Sequence, residues 1–420
     1  MLTKLKKIID NEEKRRFLGN FFSLATLQGL NYILPLLTLP YLVRILGAEK
    51  FGLLAFATAI VGYFIVFTDY GFNFTATREI SLHRENNEKL NEIFSSVMTI
   101  KFVLFVISFL LLTVLIFSFN KFSSDPYLYY LTFGTVLGQI LFPVWFFQGV
   151  EQMRYITIVN IIAKVLFTIA IFVFVKHASD YLLVPFLTSA GAVFAGIYSL
   201  IIIRKKFNIK FQVQKLSIIV KYLKGGSNLF LTSALGNLLT SSGTVILSFV
   251  STDTIVGYYS AAEKLFRAIV GLFSPVTQAL YPISCRKVIE KKSSRSYIRK
   301  LGFVIGGMAL LVSISVALLS EKMMVLVYGV TFKPFGYILS VMMVWLFFSV
   351  INNIIGIQYL SASRNDKFYT ISFCLAGSVT VLLNFILIPY LLINGILFSM
   401  IFGEILLTIC MLALIFRYKL

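Results

Sequence analysis

Seven ionisable side chains lie inside stretches that are otherwise almost wholly apolar: Asp69, Lys101, Lys164, Glu263, Lys264, Arg267 and Glu404. A charge at the centre of a membrane-crossing helix costs about 2.5–3.5 kcal/mol on insertion scales, so it needs a partner or a hydrated cavity. Lys264 and Arg267 stand at i, i+3 and share a helix face, while Glu263 and Arg267 at i, i+4 can pair along the helix. If that pair closes, Lys264 is left unbalanced. Lys164 follows Asn160 by one turn and adds a cation near the middle of another apolar run. Lys164, Lys264 and Arg267 thus form an anion-binding set. The acids Asp69, Glu263 and Glu404 are candidates for a coupling proton or cation. Asp69 has Arg78 as a helix-end partner and Glu263 has Arg267, whereas Glu404 has no basic neighbour in its own helix. Lys101, near one membrane edge, is expected to snorkel.

Other chemistry has few handles. His83 and His177 are separate loop residues, and Cys285, Cys374 and Cys410 are isolated in or beside apolar segments. Neither a metal site nor a disulfide framework is expected, and no cofactor beyond coupled H+ or Na+. A membrane polymerase or glycosyltransferase would need acceptor-activating carboxylates, but the outer-loop acids Glu49, Asp125, Asp180, Asp253 and Glu321 are scattered singly. The chain is not expected to be an enzyme. A multidrug exporter that expels organic cations would want an acidic cavity, and the central charges lean the other way.

The elements that hold these groups are helices in a bilayer. In 420 residues, 58% are hydrophobic and only 13% charged, with a mean hydropathy of +0.87. This is the composition of an all-α polytopic membrane protein. Turn and charge signals cut it into twelve spans: 17–39, 51–70, 93–118, 127–149, 155–175, 181–203, 226–250, 254–281, 301–320, 335–358, 368–389 and 395–416. The last two come from one apolar run broken at Pro389, Asn394 and Gly395. With the N-terminus inside, 28 of the 38 Lys and Arg fall in cytoplasmic segments and 6 in outer loops, so both termini are expected to be cytoplasmic. The net charge of +20 is then an inside bias reinforced by anionic membrane lipids, with no nucleic-acid partner implied.

Residues 1–16 are read as an amphipathic segment on the inner membrane face. Residues 17–203 form an N-lobe of six spans, 204–225 a basic cytoplasmic linker and 226–420 a C-lobe of six more. Gly52 and Gly257 follow short outer loops in corresponding places, so the halves are expected to be a parallel repeat. If the lobes rock, a cross-link between Ala48 and Thr254 is expected to block transport.

Five segments carry a resemblance: LPYLVRILGAEKFG from Leu39, TDYGFNFTATREIS from Thr68, FPVWFFQGVEQM from Phe142, YYSAAEKLFRAI from Tyr258 and QYLSASRNDK from Gln358. Together they resemble the polysaccharide transporter, or Wzx-type O-antigen flippase, family of the multidrug, oligosaccharidyl-lipid and polysaccharide exporters. The resemblance implies two six-helix lobes around a central cavity in a bacterial cytoplasmic (inner) membrane. It implies alternating access that carries undecaprenyl-pyrophosphate-linked oligosaccharide from the inner to the outer leaflet, coupled to an ion gradient. A polysaccharide polymerase and a chain-length regulator are the implied protein partners. Lys264, Arg267 and Arg44 match motif positions of the family, and the resemblance implies that they bind the substrate in a cationic cavity, with Arg44 near the outer mouth. Lys164 and Glu404 lie outside the motifs and rest on position alone.

Overall fold

The computed structural model describes residues 12–289 and 294–418, and every regular element among them is helical. Most of the segment 1–16 expected on the membrane face lies outside the described residues. Helix α1 (Glu12–Asp69) contains the first two expected spans and breaks at Gly47, whose φ of 72° suits a residue without a Cβ. Tyr70 and Gly71, both at positive φ, turn the chain into α2 (Phe72–Leu82). Helix α3 (Asn87–Ser118) begins where the Asn86 side chain accepts the Lys89 N–H at 3.0 Å, satisfying a donor the first turn leaves unpaired. Helix α4 (Pro126–Leu141) opens on proline, whose missing N–H costs nothing there.

The chain continues through α5 (Val144–Gly149), α6 (Met153–Phe174), α7 (Leu183–Lys206) and α8 (Leu216–Val250). Thr252 caps α9 (Asp253–Gly271), which is followed by α10 (Ser274–Ile289) and α11 (Ser294–Leu301). The last helices are α12 (Gly307–Tyr328), α13 (Gly336–Asn353), α14 (Asp366–Leu391) and α15 (Ile393–Tyr418). The expected break between the last two spans is present. Its turn residue is Leu392, at φ 50°, and Pro389 stays inside α14.

Ten stretches among the described residues are long and apolar enough to cross a membrane, which is consistent with the expected twelve. Helix α9 is not one of them, because Asp253, Glu263, Lys264 and Arg267 fall within its 19 residues.

The chain packs as two compact units. One comprises the described residues up to Thr38 with Ala57–Leu238; the other comprises Leu39–Phe56 with Leu239–Leu420. The segment 39–56 therefore packs with second-half helices. Ala48 and Thr254 belong to the same unit, so a cross-link between them ties one unit to itself.

In the first unit, α2 and α5 form a buried wedge of Phe72, Ala76 and Ile80 against Trp145, Phe146 and Phe147. A Cβ on Gly149 would run into Ile80, and the Thr77 hydroxyl donates to the Trp145 carbonyl at 3.2 Å. Two of the motif runs are thus structural. The linker is strapped to α3: the Lys210 N–H donates to Asn91 at 2.8 Å and the Gln212 N–H to Ser95 at 2.9 Å. The Tyr222 hydroxyl donates to Glu92 at 3.1 Å. Burial, with the Glu92 carboxylate beside it, holds that phenol well above its ordinary range.

In the second unit, the 39–56 segment meets α9 backbone to backbone. A Cβ on Gly52 would collide with the Asp253 carbonyl, and one on Gly257 with the Ala48 carbonyl. The two glycines that mark the repeat in the sequence thus face each other's neighbours. Gln358 is buried and serves packing: it accepts from Ser284 at 2.6 Å and donates to the Thr277 carbonyl at 2.9 Å.

Candidate functional site

Helix α9 presents three charges within one turn of helix. The Arg267 guanidinium closes on Glu263, with Nη2 to Oε1 at 2.6 Å and Nε to the same oxygen at 3.0 Å. Arg267 is half exposed while Glu263 is largely covered. That closure leaves Lys264 without a carboxylate of its own. Its ammonium instead lies 4.7 Å from the centroid of the Phe51 ring, a cation–π contact worth about 0.5–2 kcal/mol. Such a contact holds a cation in place without neutralising it. Among the described residues, Lys264 forms no ion pair or side-chain hydrogen bond, so the triad keeps a net positive charge.

Arg44 is on the same packing unit but bonds to none of these groups. Its Nε donates to the Val327 carbonyl at 3.1 Å and its Nη2 to the Leu326 carbonyl. These carbonyls lie in the last turn of α12, where they lack partners within the helix. Arg44 therefore caps a helix end, using donors that the family resemblance implies for the substrate.

In the first unit, Lys164 donates to the Asn31 side chain at 2.6 Å and remains exposed. Asn160 turns back on its own helix, donating to the Ile156 carbonyl at 2.9 Å. Five of the six large exposed apolar side chains of α6, Ile158, Ile162, Leu166, Ile169 and Val173, fall within an arc of roughly 80° on the helix, and the sixth, Phe174, is the helix's last residue. Lys164 and Asn160 lie roughly 160° from the centre of that arc. The polar face of α6 is therefore turned away from its lipid-type face.

The acids separate by partner. Asp69 is bonded to Lys101, Nζ to Oδ1 at 2.9 Å, and the Lys101 side chain is only 4% exposed. The snorkelling expected of Lys101 is therefore corrected. A neighbouring carboxylate spares the ammonium the stretch to water, while Arg78 leans on Glu79 at 3.5 Å. Glu263 is taken by Arg267. Among the described residues Glu404 meets only neutral donors, accepting from the Asn352 side-chain amide at 2.5 Å, and the Asn352 Oδ1 in turn accepts from Thr408 at 2.7 Å. Asn352 lies on α13 outside any motif, and no sequence signal marked it. Among the described residues there is no cluster of three or more metal-ligating side chains.

Comparison with known proteins now bears on this arrangement. The family described as "Polysaccharide biosynthesis protein" matches the chain over residues 17–288. The chain belongs to this family. It is 30% identical over 380 residues to a protein of Escherichia coli (strain K12) named "Putative O-antigen transporter", covering 89% of this chain and 91% of that one. A Shigella dysenteriae protein of the same name is 28% identical over 400 residues, covering 94% and 98%. Among solved structures, the lipid II flippase MurJ in an inward closed conformation superposes with a TM-score of 0.69 at 16% identity, covering 96% of this chain and 87% of that one. An inward-facing multidrug transporter of the MATE family superposes with 0.66 at 14% identity, covering 92% and 98%.

These structural likenesses establish a shared fold: the family member described here is an all-α membrane protein built like the MOP-superfamily transporters. As a member of the polysaccharide biosynthesis protein family with transporters as its relatives, it is a transporter and not an enzyme.

Proposed function

We propose that the protein is a flippase for undecaprenyl-pyrophosphate-linked oligosaccharide repeat units, O-antigen or a related surface glycan. It carries them from the inner to the outer leaflet of the bacterial cytoplasmic membrane by alternating access. The observation that carries this reading is Lys264 on α9, left without a counter-charge because Arg267 takes the Glu263 carboxylate. An anionic head group supplies the missing charge, and charge-assisted bonds to phosphate are the strong ones. On the first unit by itself, Lys164, exposed on the polar face of α6 with Asn31 and Asn160 beside it, is a further candidate cation with amides suited to sugar hydroxyls. Arg267 contributes its exposed edge. Arg44 serves by holding the end of α12.

Ion coupling is assigned to Glu404, the one acid of the three candidates whose described partners are all neutral. A carboxylate held only by an amide can exchange a proton or bind Na+ without first breaking an ion pair. Asp69 and Glu263 hold cations and are placed in the scaffold. Delivery to a polymerase and a chain-length regulator on the outer side completes the expected pathway, with both termini cytoplasmic.

The test is genetic and chemical. Deleting the gene should make one lipid-linked oligosaccharide accumulate on the inner leaflet, and supplying the chain in trans should clear it. Clearance failing while the protein is present in the membrane would overturn the reading.

A further inference from the structure

Three residues of the first packing unit converge at the ends of α6 and α7, away from every group used above. The Lys206 ammonium donates to the Tyr155 hydroxyl at 2.9 Å, and the Arg154 guanidinium donates to the same oxygen at 3.2 Å. Both cations also lie over the Tyr155 ring, each 5.0 Å from its centroid. Two like charges are thus held within the span of two hydrogen bonds, and among the described residues neither has a carboxylate partner. A phenol has two lone pairs and one hydrogen. With both cations donating to its oxygen, its own O–H stays available, and the ammonium and guanidinium each keep further N–H donors. Tyr155 is fixed there by ring contacts with Phe147 at 5.8 Å and Phe207 at 6.1 Å. Both are anchored in the aromatic cluster around buried Phe146.

The surroundings say what kind of anion fits. One turn along α6 from Arg154 begins the exposed stripe of Ile158, Ile162 and Leu166. On α7, exposed Ile201, Ile197 and Phe194 run back from the basic end Arg204–Lys206. The two helices pack together, Gly191 making room for the Phe167 ring, which also meets Phe194 at 6.2 Å. An apolar strip that starts at a cation pair matches a molecule with a charged head and hydrocarbon tails. The trio bonds to no amide side chain among the described residues, so nothing here is arranged for a glycan.

We propose that Arg154, Tyr155 and Lys206 form a binding site for the phosphate of an anionic glycerophospholipid, whose acyl chains lie along the exposed apolar strip of α6 and α7. The site is separate from the proposed transport path and does not depend on what is flipped. The lipid neutralises two cations that otherwise repel, and it fastens the linker end of α7 to the membrane surface.

The experiment titrates the purified full-length protein with phosphatidylglycerol and with phosphatidylcholine and counts bound lipids by native mass spectrometry. Near a membrane surface each basic residue contributes about 1 kcal/mol toward anionic lipid, or about fivefold in affinity. Wild type should therefore favour phosphatidylglycerol by roughly thirtyfold, Arg154→Gln or Lys206→Gln should each lose about fivefold, and the double variant should lose the preference. Arg154→Lys with Lys206→Arg should keep most of it, and Lys221→Gln, an exposed charge outside the trio, should change nothing. Equal affinity for the two lipids in wild type, or an unchanged preference in the double variant, would overturn the site. Displacement by inorganic phosphate at equal concentration would show that the tails contribute nothing and overturn the lipid assignment. Tighter binding of undecaprenyl phosphate than of phosphatidylglycerol would reassign the trio to the transported substrate.

Discussion

Replacing Lys264 by alanine tests the anion site most directly, because the structure separates what this side chain does for the fold from what it does for a ligand. For the fold it supplies one cation–π contact with Phe51, worth about 0.5–2 kcal/mol, and its removal also relieves a partly buried charge. The net effect on stability should be within about 1 kcal/mol. For a pyrophosphate it supplies a charge-assisted hydrogen bond worth about 1.5–3 kcal/mol. Lost where the translocating state is stabilised, that is a fall of roughly 10- to 150-fold in rate. Lys264→Arg should retain part of the flux, since a planar guanidinium keeps the charge but not the geometry of the ammonium. The assay is outer-leaflet delivery of lipid-linked oligosaccharide in reconstituted vesicles at matched protein levels, with thermal unfolding measured alongside. Wild-type flux in both Lys264→Ala and Lys264→Glu would refute the reasoning and leave Lys264 as a packing residue.

Asp69→Ala strands the buried Lys101 ammonium and should cost about 3–5 kcal/mol, read as a lowered melting temperature; Asp69→Leu with Lys101→Met should recover most of it. Glu404→Gln keeps the Asn352 bond in a neutral form, so exchange down a substrate gradient should persist while gradient-driven accumulation is lost; accumulation at the wild-type level would remove Glu404 from coupling. Gly257→Ala forces a methyl into the Ala48 carbonyl and should destabilise by about 1–3 kcal/mol, with no rescue from Ala48→Gly because the obstacle is main chain. A cross-link between Ala48 and Thr254 joins segments already packed in one unit, so transport should continue; a full block would show that these segments must separate.

What the sequence disclosed is what helix geometry alone determines. Glu263 and Arg267 close at i, i+4, and the 368–416 run breaks just after Pro389, because both depend on neighbours along the chain. The partners that come from elsewhere were not legible. Lys101 finds Asp69, Arg44 finds the carbonyls ending α12, and Lys164 finds Asn31, each through tertiary packing that no local pattern encodes. The family motifs disclosed the family without marking a site. Phe72, Trp145, Phe146 and Gln358 are distinctive as text, yet the structure uses them to fill a wedge and to tie helices together. Charge in an apolar run points to a candidate site on different grounds, since the cost of placing it there is physical.

The strap between Lys206 and Leu216 is fastened to α3 through its peptide groups, the N–H of Lys210 and of Gln212, and through the buried Ile209. Its outward side chains, Lys210, Phe211, Gln212 and Val213, therefore have no part in holding it. Those positions are free to drift. A lineage whose membranes change in acidic lipid content could retune the charge and greasiness of this surface residue by residue, without disturbing the route the main chain takes.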